Sequence, residues 1–335
     1  TTEIYTLSLH DALPICSVQP QREDFDYDLD KALTAVVGLK SIVPSDAFTA
    51  ETLGTERIGS GALIDPSGLI LTVGYLITEA ETVWVSMAGG KVVQGHALGY
   101  DQETGFGLIQ ALARLDGVPF LPLGSSARAR AADPIVVAAA GGRQKAIVGQ
   151  IRAKHEFAGY WEYVLDEALF TLPAHPTWSG TAVINAAGEL IGIGSLQLQQ
   201  QPAIGGSTAK PIDVNMAVPI DLLKPILSDL QTLGKRNAPP RPWLGLFATE
   251  VSQRIVIAGV SGRGPARKSD VRPGDIVLDV GGEEVRSLSG FFKSIWRQGT
   301  AGVEVPMTLN RDGKLVKSTV KSADRARLMK GPILH

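Results

Sequence analysis

The sequence predicts a mainly β protein with more than one domain, and three observations support this. From Ala35 onward the apolar residues fall in short runs separated by Gly, Pro, Asp and Asn, which is typical of strands joined by tight turns. For about 200 residues these runs do not alternate with regular helices, so a parallel α/β sheet is not expected. The length of 335 residues is enough for two or three domains of about 100–200 residues each.

The composition excludes several classes of function. The chain is 44% hydrophobic and 20% charged, which is too apolar for an intrinsically disordered protein. Lys and Arg total 32 against 34 Asp and Glu, a net charge of -2, so we expect no nucleic-acid partner. No stretch reaches the 18 or more apolar residues of a membrane span. The single cysteine, Cys16, excludes an internal disulfide framework and a cysteine-based zinc site, and we predict neither a metal nor a cofactor.

Changes in composition divide the chain into five segments. The basic, proline-rich stretch KRNAPPRP is typical of a linker between domains. We therefore predict, in order, an unreliable or flexible N-terminal segment, a β domain, a linker, a second domain and a basic, loose tail, at residues 1–30, 31–234, 235–242, 243–322 and 323–335. Thr1–Cys16 lacks the basic start and long apolar run of a secretion signal and is similar to translated adapter sequence, so it supports no functional argument.

Local signals predict individual elements within both domains. Asp65–Gly68 and Asn185–Gly188 each separate two apolar runs and are typical of hairpin turns. Ala217–Leu233 predicts a helix with one apolar face, in which Pro225 introduces a bend or a second start. In the second domain we expect strands at RIVIAGV and IVLDVGG, a helix over about Ser287–Gln298, and a hairpin around Asp312.

Three stretches of the first domain occur in the order and spacing of the HtrA/Deg family: Gly59–Thr72, Tyr100–Ile109 and Trp178–Ile193. Over roughly residues 32–322 the chain resembles a trypsin-like double β-barrel followed by a PDZ domain. The resemblance implies a serine endopeptidase scaffold, a periplasmic or cell-envelope location, and a possible homotrimer.

The resemblance also assigns the catalytic positions of the first domain. A serine protease needs a hydroxyl nucleophile, an imidazole that takes its proton, and a carboxylate that orients the imidazole. Ser179 matches the nucleophile, whereas Tyr75 stands at the histidine position and Gly105 at the aspartate position. Thr177 and Trp178 fall at the oxyanion hole. Because loss of a triad histidine costs about a millionfold in rate, and a phenol with a pKa near 10 is a weak base at neutral pH, we expect hydrolysis to be lost or nearly lost.

Two other hypotheses for the function of the chain stay open. A histidine from elsewhere in the fold, His175, His96 or His155, would have to reach Ser179 for the chain to be a working endopeptidase with an unconventional base. Carboxylates that would orient such a base are Asp101, Glu103, Asp166 and Asp213, although each is expected to be an ordinary surface group. The second alternative is that the chain acts as a holdase chaperone.

The second domain carries the most specific resemblance. Arg241–Leu246 is similar to the carboxylate-binding loop of PDZ domains, and Val271–Val277 is similar to their Gly-Asp element. In such a loop successive backbone N–H groups hold a peptide's terminal carboxylate, and the next strand pairs with the peptide. The resemblance implies peptides, unfolded segments or C-terminal tails as partners, with contacts from Trp243, Leu244, Gly245, Leu246, Phe247 and Ala248. The alternative is a PDZ fold that docks internally and binds nothing free. We therefore predict a protease-inactive adaptor or regulator of protein quality control.

Overall fold

The computed structural model describes residues 18–115, 117–200 and 210–331, which fold into two units. The first unit contains the described residues up to Lys154 together with those of 168–235. The second joins His155–Glu167 to Arg236–Gly331. The composition change near residue 235 predicts the main break, but no local signal predicts that His155–Glu167 belongs to the second unit. The segment Thr1–Cys16, which supports no functional argument, lies outside the described residues.

Antiparallel strands form a closed barrel at the start of the first unit. The strands are β1 (Val36–Ile42), β2 (Glu56–Asp65), β3 (Leu69–Val73), β4 (Thr82–Ser86), β5 (Val92–Tyr100) and β6 (Phe106–Ala111). Their order is β1-β2-β3-β6-β5-β4, and the predicted Asp65–Gly68 turn joins β2 to β3, which is confirmed by their antiparallel register. Every residue of β3 is buried, so the segment that leads into Tyr75 is anchored in the barrel core.

Two short helices accompany this barrel, α1 (Leu29–Thr34) and α2 (Ala50–Leu53). The structure differs here from a flexible segment through residue 30, because the Asp28 side chain accepts a hydrogen bond from the Lys31 N–H and caps α1. Leu29 and Leu33 are buried. The apolar face of α1 therefore orders the chain before the barrel begins.

A second closed barrel completes the first unit. Its strands are β7 (Pro134–Ala138), β8 (Ala146–Gly159), β9 (Tyr163–Leu172), β10 (Ala182–Asn185), β11 (Leu190–Gln200) and β12 (Ile212–Pro219), in the order β10-β11-β12-β9-β8-β7. Apolar side chains such as Ile147, Leu169 and Val183 form its core. The predicted turn at Asn185–Gly188 is confirmed between β10 and β11. The far ends of β8 and β9 belong to the second unit.

The helix predicted over Ala217–Leu233 is wrong in its first half. Ala217 lies in β12 and pairs with Gly194 on one side and Leu169 on the other, so strand pairing on both edges overrides the helical spacing of the apolar residues. The helix α3 begins only at Leu227 and ends at Leu233, before Gly234 in the left-handed conformation. A second start after Pro225 is therefore the correct alternative.

The second unit is built around a sheet of antiparallel strands. They are β13 (Leu246–Val251), β14 (Arg254–Val260), β15 (Ile276–Val280), β16 (Glu283–Glu284), β17 (Glu304–Arg311) and β18 (Lys314–Lys321), in the order β13-β14-β15-β17-β18 with β16 beside β15. The predicted helix is confirmed as α4 (Leu288–Arg297), capped by the Ser287 side chain. Phe291, Phe292 and Ile295 of α4 are buried in the core of this unit.

The segment after β18 is more ordered than a loose tail. Ala323 exchanges two backbone hydrogen bonds with Trp243, at 2.9 and 3.1 Å, and Arg325–Leu328 forms a turn of 3-10 helix. This pairing holds the start of the tail beside the segment that leads into β13. Among the described residues, no helix is both long enough and apolar enough to cross a membrane.

Candidate functional site

Ser179 is held in place by its backbone neighbours in the first unit. Its carbonyl oxygen accepts a hydrogen bond from the Ser60 N–H at 2.8 Å. Gly180 has a φ of 76°, and a Cβ at this position would collide with the Ser60 carbonyl oxygen. Only glycine fits this close approach, which explains why the Ser-Gly pair sits at this turn.

The structure brings Tyr75 and Ser179 together. Tyr75 lies in a 3-10 turn directly after β3, and its hydroxyl is 2.8 Å from Ser179 Oγ and 2.8 Å from the Ser195 carbonyl oxygen. A carbonyl only accepts, and a phenol has one proton to donate. The Tyr75 hydroxyl therefore donates a hydrogen bond to the Ser195 carbonyl oxygen, and the Ser179 hydroxyl donates one to the Tyr75 oxygen.

This arrangement does not make Tyr75 a base. Burial raises the pKa of Tyr75 to about 12, and the hydrogen bond from Ser179 opposes that rise only in part. At pH 7 a group with this pKa is ionised in about one molecule in 10⁵. The neutral phenol keeps its proton, so it cannot remove the proton of the Ser179 hydroxyl.

A buried guanidinium holds the backbone around Tyr75. Arg57 donates to the carbonyl oxygens of Tyr75 and Thr78 at 2.7 and 2.9 Å, and to the Thr49 hydroxyl at 2.7 Å. Glu79 in turn accepts from the backbone and hydroxyl of Thr49. Burial lowers the pKa of Arg57, and the charge of Glu79 opposes that change. No local sequence pattern predicts this positioning network, because Arg57 and Glu79 lie 22 positions apart in the sequence.

Gly105 occupies the position of the acidic triad member without supplying a carboxylate. It has a φ of 82°, and its carbonyl oxygen accepts from the Gly74 N–H at 2.6 Å, next to Tyr75. The nearby carboxylate of Asp101 accepts from the backbone and hydroxyl of Thr104 at 2.9 and 2.7 Å. Asp101 therefore shapes the turn before Gly105.

The oxyanion-hole position has its backbone donor engaged. The Thr177 N–H donates to His175 Nδ1 at 3.1 Å, and His175 Nε2 donates to the Lys145 carbonyl oxygen at 3.0 Å. Burial lowers the pKa of His175, which favours this neutral tautomer. The Trp178 carbonyl oxygen accepts from Thr181. His175 therefore acts as a structural residue of the loop, and the Thr177 amide is turned to its ring.

The remaining candidate bases and acids lie on other elements or have other partners. His96 lies on β5 opposite Gln110, and His155 lies in the second unit, with Nδ1 2.8 Å from the Glu156 carbonyl oxygen. Asp166 forms an ion pair with Lys293 at 2.7 Å. Glu103 is half-buried, and Asp213 is exposed on β12.

The predicted carboxylate-binding loop of the second unit binds a carboxylate of the chain itself. The N–H groups of Leu244, Gly245 and Leu246 donate to Glu162 at 3.0, 2.7 and 3.1 Å. At the pairing edge, the Ala248 N–H donates to the Tyr160 carbonyl oxygen at 2.8 Å. Phe247 forms an antiparallel bridge with Trp161. The Trp243 N–H bonds Ala323 instead. The sequence motif predicts the donors, but it does not predict Glu162 as their acceptor.

Two family models match the chain in the predicted order. The trypsin-like peptidase domain matches residues 59–193, and the PDZ domain matches residues 242–321. The chain therefore contains a trypsin-like peptidase domain followed by a PDZ domain. This confirms the mainly β fold and the order of the two domains.

The relatives to which this chain is similar include named serine endoproteases. The chain is 27% identical over 284 residues to the serine endoprotease DegS of Haemophilus influenzae, covering 81% of this chain and 78% of the relative. It is 27% identical to a probable periplasmic DegP-like serine endoprotease of Pseudomonas fluorescens, covering 77% of this chain and 54% of the relative. The chain thus spans about half the length of that DegP-like relative.

Solved structures share the fold. The HtrA-type protease AlgW with tripeptide has a TM-score of 0.51 and 22% identity, covering 88% of this chain and 95% of that chain. The serine endoprotease from Yersinia pestis has a TM-score of 0.52 and 22% identity, covering 89% and 98%.

Proposed function

We propose that this chain is a protease-inactive relative of the HtrA-type endoproteases that binds peptides through its PDZ domain, as an adaptor or regulator of protein quality control in the cell envelope. The observation that carries the proposal is the hydroxyl pair of Tyr75 and Ser179 at 2.8 Å. Where serine proteolysis needs an imidazole, this site has a phenol whose pKa burial raises to about 12.

Two further features of the site support inactivity. No side-chain carboxylate stands at Gly105, and the Thr177 amide, one of the two expected oxyanion donors, bonds His175. Each deficit alone is worth orders of magnitude in rate, about 10⁴-fold for the acid and about 10²–10³-fold for one oxyanion donor. The named relatives are serine endoproteases, and this chain differs from a working triad at two of three positions.

The PDZ domain supports the binding part of the proposal. Three N–H groups of its loop converge on one carboxylate, and the edge of β13 pairs with an extended segment. Both features suit a peptide whose terminal carboxylate is preceded by an extended strand. AlgW structures contain a tripeptide or a decapeptide, and DegP-like relatives are named periplasmic. A peptide ligand and an envelope location are therefore the partner and the place that we propose for this chain.

Proteolysis of β-casein by the full chain tests the inactive assignment. Ser179→Ala is the matched control, because it removes only the hydroxyl. We expect the two proteins to be indistinguishable in casein loss. Turnover by the wild type that Ser179→Ala lacks would instead establish an endopeptidase with an unconventional base.

Peptide binding separates an adaptor from a holdase. The probes are a pool of decapeptides with free C-terminal carboxylates and the same pool amidated. An adaptor that uses the carboxylate-binding loop binds the free pool and discriminates against the amidated pool. Equal retention of both pools, with suppression of aggregation of an unfolded protein, would favour a holdase chaperone.

A further inference from the structure

We propose that the segment His155–Glu167, here called the docked hairpin, is a built-in ligand of the PDZ groove. Its Glu162 side chain stands where the terminal carboxylate of a peptide would bind, so an external C-terminal peptide must displace it. The inference rests on the proposed peptide-binding function for its consequence, while the docking itself is a property of this chain.

Backbone donors of the PDZ loop hold the carboxylate of Glu162. Glu162 is 7% exposed, and its Oε1 accepts from the N–H groups of Leu244, Gly245 and Leu246 within 3.1 Å. Successive N–H groups that converge on one anion form an anion-binding nest. Gly245 has a φ of 77°, and a Cβ at this position would come too close to Gly264, so the loop has the backbone shape that such a nest requires.

The docked hairpin also pairs with the edge of β13. Two residues before Glu162, the Tyr160 carbonyl oxygen accepts from the Ala248 N–H at 2.8 Å, and Trp161 bridges Phe247 in antiparallel register. The rings of Tyr160 and Phe247 lie 5.9 Å apart. A carboxylate in the nest, preceded by an extended segment along the strand edge, is the arrangement of a peptide that adds a strand.

Residues on both sides of Glu162 pack against the second unit. Val164 is buried in the hydrophobic core of the second unit, and Ala158 packs against that core. Lys293 of α4 forms ion pairs with Glu156 at 2.6 Å and with Asp166 at 2.7 Å. The docked hairpin therefore contributes an apolar side chain as well as a carboxylate, and α4 holds both of its strands.

Because this ligand is part of the chain, it has a large advantage over a free peptide. A tethered group acts at an effective concentration of about millimolar or more. The apparent affinity of a free peptide is then its intrinsic affinity multiplied by the fraction of molecules in which the hairpin is released. The PDZ groove of the wild type is expected to bind free peptides weakly until the hairpin is displaced.

Hydrogen exchange on the full chain tests the docking directly. The proteins are wild type, Glu162→Ala, Glu162→Gln, which keeps the shape and an acceptor, and a control at an exposed glutamate, Glu304→Ala. We expect amides 244–248 to exchange at least tenfold faster in Glu162→Ala, with little change in Glu162→Gln and none in Glu304→Ala. Unchanged protection of β17 and β18 shows that the unit stays folded.

Peptide binding, measured with the free and amidated decapeptide pools, completes the test. We expect Glu162→Ala to bind the free pool at least tenfold more tightly than the wild type does. Faster exchange without binding of either pool would support the built-in ligand and contradict the proposed peptide-binding function. Exchange at 244–248 that is unchanged in Glu162→Ala would overturn the built-in ligand, whatever the pools do.

A second variant covers the case in which Glu162→Ala loses protection across β17 and β18. Lys293→Ala removes only the two ion pairs of a partly exposed side chain. It is expected to raise exchange at 244–248 by about two- to fivefold, because surface ion pairs are individually weak. No change at these amides would then overturn the proposal.

Discussion

The Ser179 hydroxyl donates a hydrogen bond to the Tyr75 oxygen across 2.8 Å, and the Tyr75 hydroxyl in turn donates a hydrogen bond to the Ser195 carbonyl oxygen. The serine thus makes the hydrogen bond that a catalytic serine makes to imidazole, but with an acceptor that is protonated at neutral pH. The two hydroxyls form a stable polar pair between the barrels of the first unit.

Replacing Tyr75 with Phe should destabilise the first unit. The change leaves the Ser195 carbonyl oxygen and the Ser179 hydroxyl without the partner that they share. Loss of one partner of a buried hydrogen bond costs about 1–3 kcal/mol. The measurement is the free energy of unfolding in a urea titration, monitored with a spectroscopic signal that reports on the first unit.

Tyr27→Phe is the matched control for this experiment. The Tyr27 hydroxyl is buried and, among the described residues, has no hydrogen-bond partner. Its removal should leave stability unchanged or raise it by up to about 1 kcal/mol. Equal destabilisation by both substitutions would show that the Tyr75 hydrogen bonds contribute nothing particular.

Tyr75→His alone should not restore proteolysis. The new imidazole has no carboxylate at Gly105 to fix its tautomer, and the Thr177 amide remains bonded to His175. Hydrolysis of a fluorogenic peptide should stay at the level of the double variant that also carries Ser179→Ala. A rate that depends on Ser179 would show that the phenol is the single defect of the site.

Gly180→Ala should disrupt the turn that carries Ser179. The added Cβ meets the Ser60 carbonyl oxygen at a φ of 76°, so steric overlap adds to the backbone strain, for a cost of about 2–5 kcal/mol. Gly142→Ala is the control, since its φ of 66° is similar but nothing lies within 4 Å of the added Cβ. Its cost should be about 1 kcal/mol. Equal costs would contradict the close approach of Ser60.

Docking of Glu162 should weaken as pH rises. Burial raises the pKa of Glu162 to about 7, against the opposing effects of its three N–H donors and Arg325. Because this pKa lies above the ordinary value of 4.5, docking is strongest below about pH 4.5 and is lost progressively as pH rises through 7. Between pH 6 and pH 8 the affinity for the free-carboxylate decapeptide pool should rise by about tenfold.

Glu162→Gln should remove that pH dependence. The glutamine cannot ionise, while His155 remains in the docked hairpin with its Nδ1 at the Glu156 carbonyl oxygen. The difference between wild type and Glu162→Gln therefore isolates Glu162 from His155 and from Arg325. A pH profile that persists in Glu162→Gln would assign the effect to another group.

Local sequence signals predict turns and helix caps correctly, because these depend on residues that are close in the sequence. The turns at Asp65–Gly68 and Asn185–Gly188 and the Ser287 cap depend on neighbours within a few residues, and the structure contains them. The segment at Ala217 was predicted as helix because its apolar spacing fits one. Its conformation is set by pairing with Gly194 and Leu169, which no local window contains.

The site was predictable in composition but not in its contacts. Motif spacing pointed to Tyr75 and Ser179, whereas the acceptor of the Tyr75 proton, Ser195, depends on the packing of distant strands. Glu162 lies in an aromatic and apolar run, where a buried charge requires partners. The free-energy cost of burying this carboxylate is the one local indication that Glu162 has hydrogen-bond partners. Those partners lie about 80 positions further along the chain, so the local sequence does not identify them.

Covalent labelling of Ser179 tests the inactive assignment most directly. The measurement is the rate at which a fluorophosphonate adds to the full chain, followed by intact mass and compared with Ser179→Ala. Because Tyr75 keeps its own proton, the two proteins should remain equally unlabelled at neutral pH. Stoichiometric addition to the wild type that is absent from Ser179→Ala would show an activated serine and contradict the account.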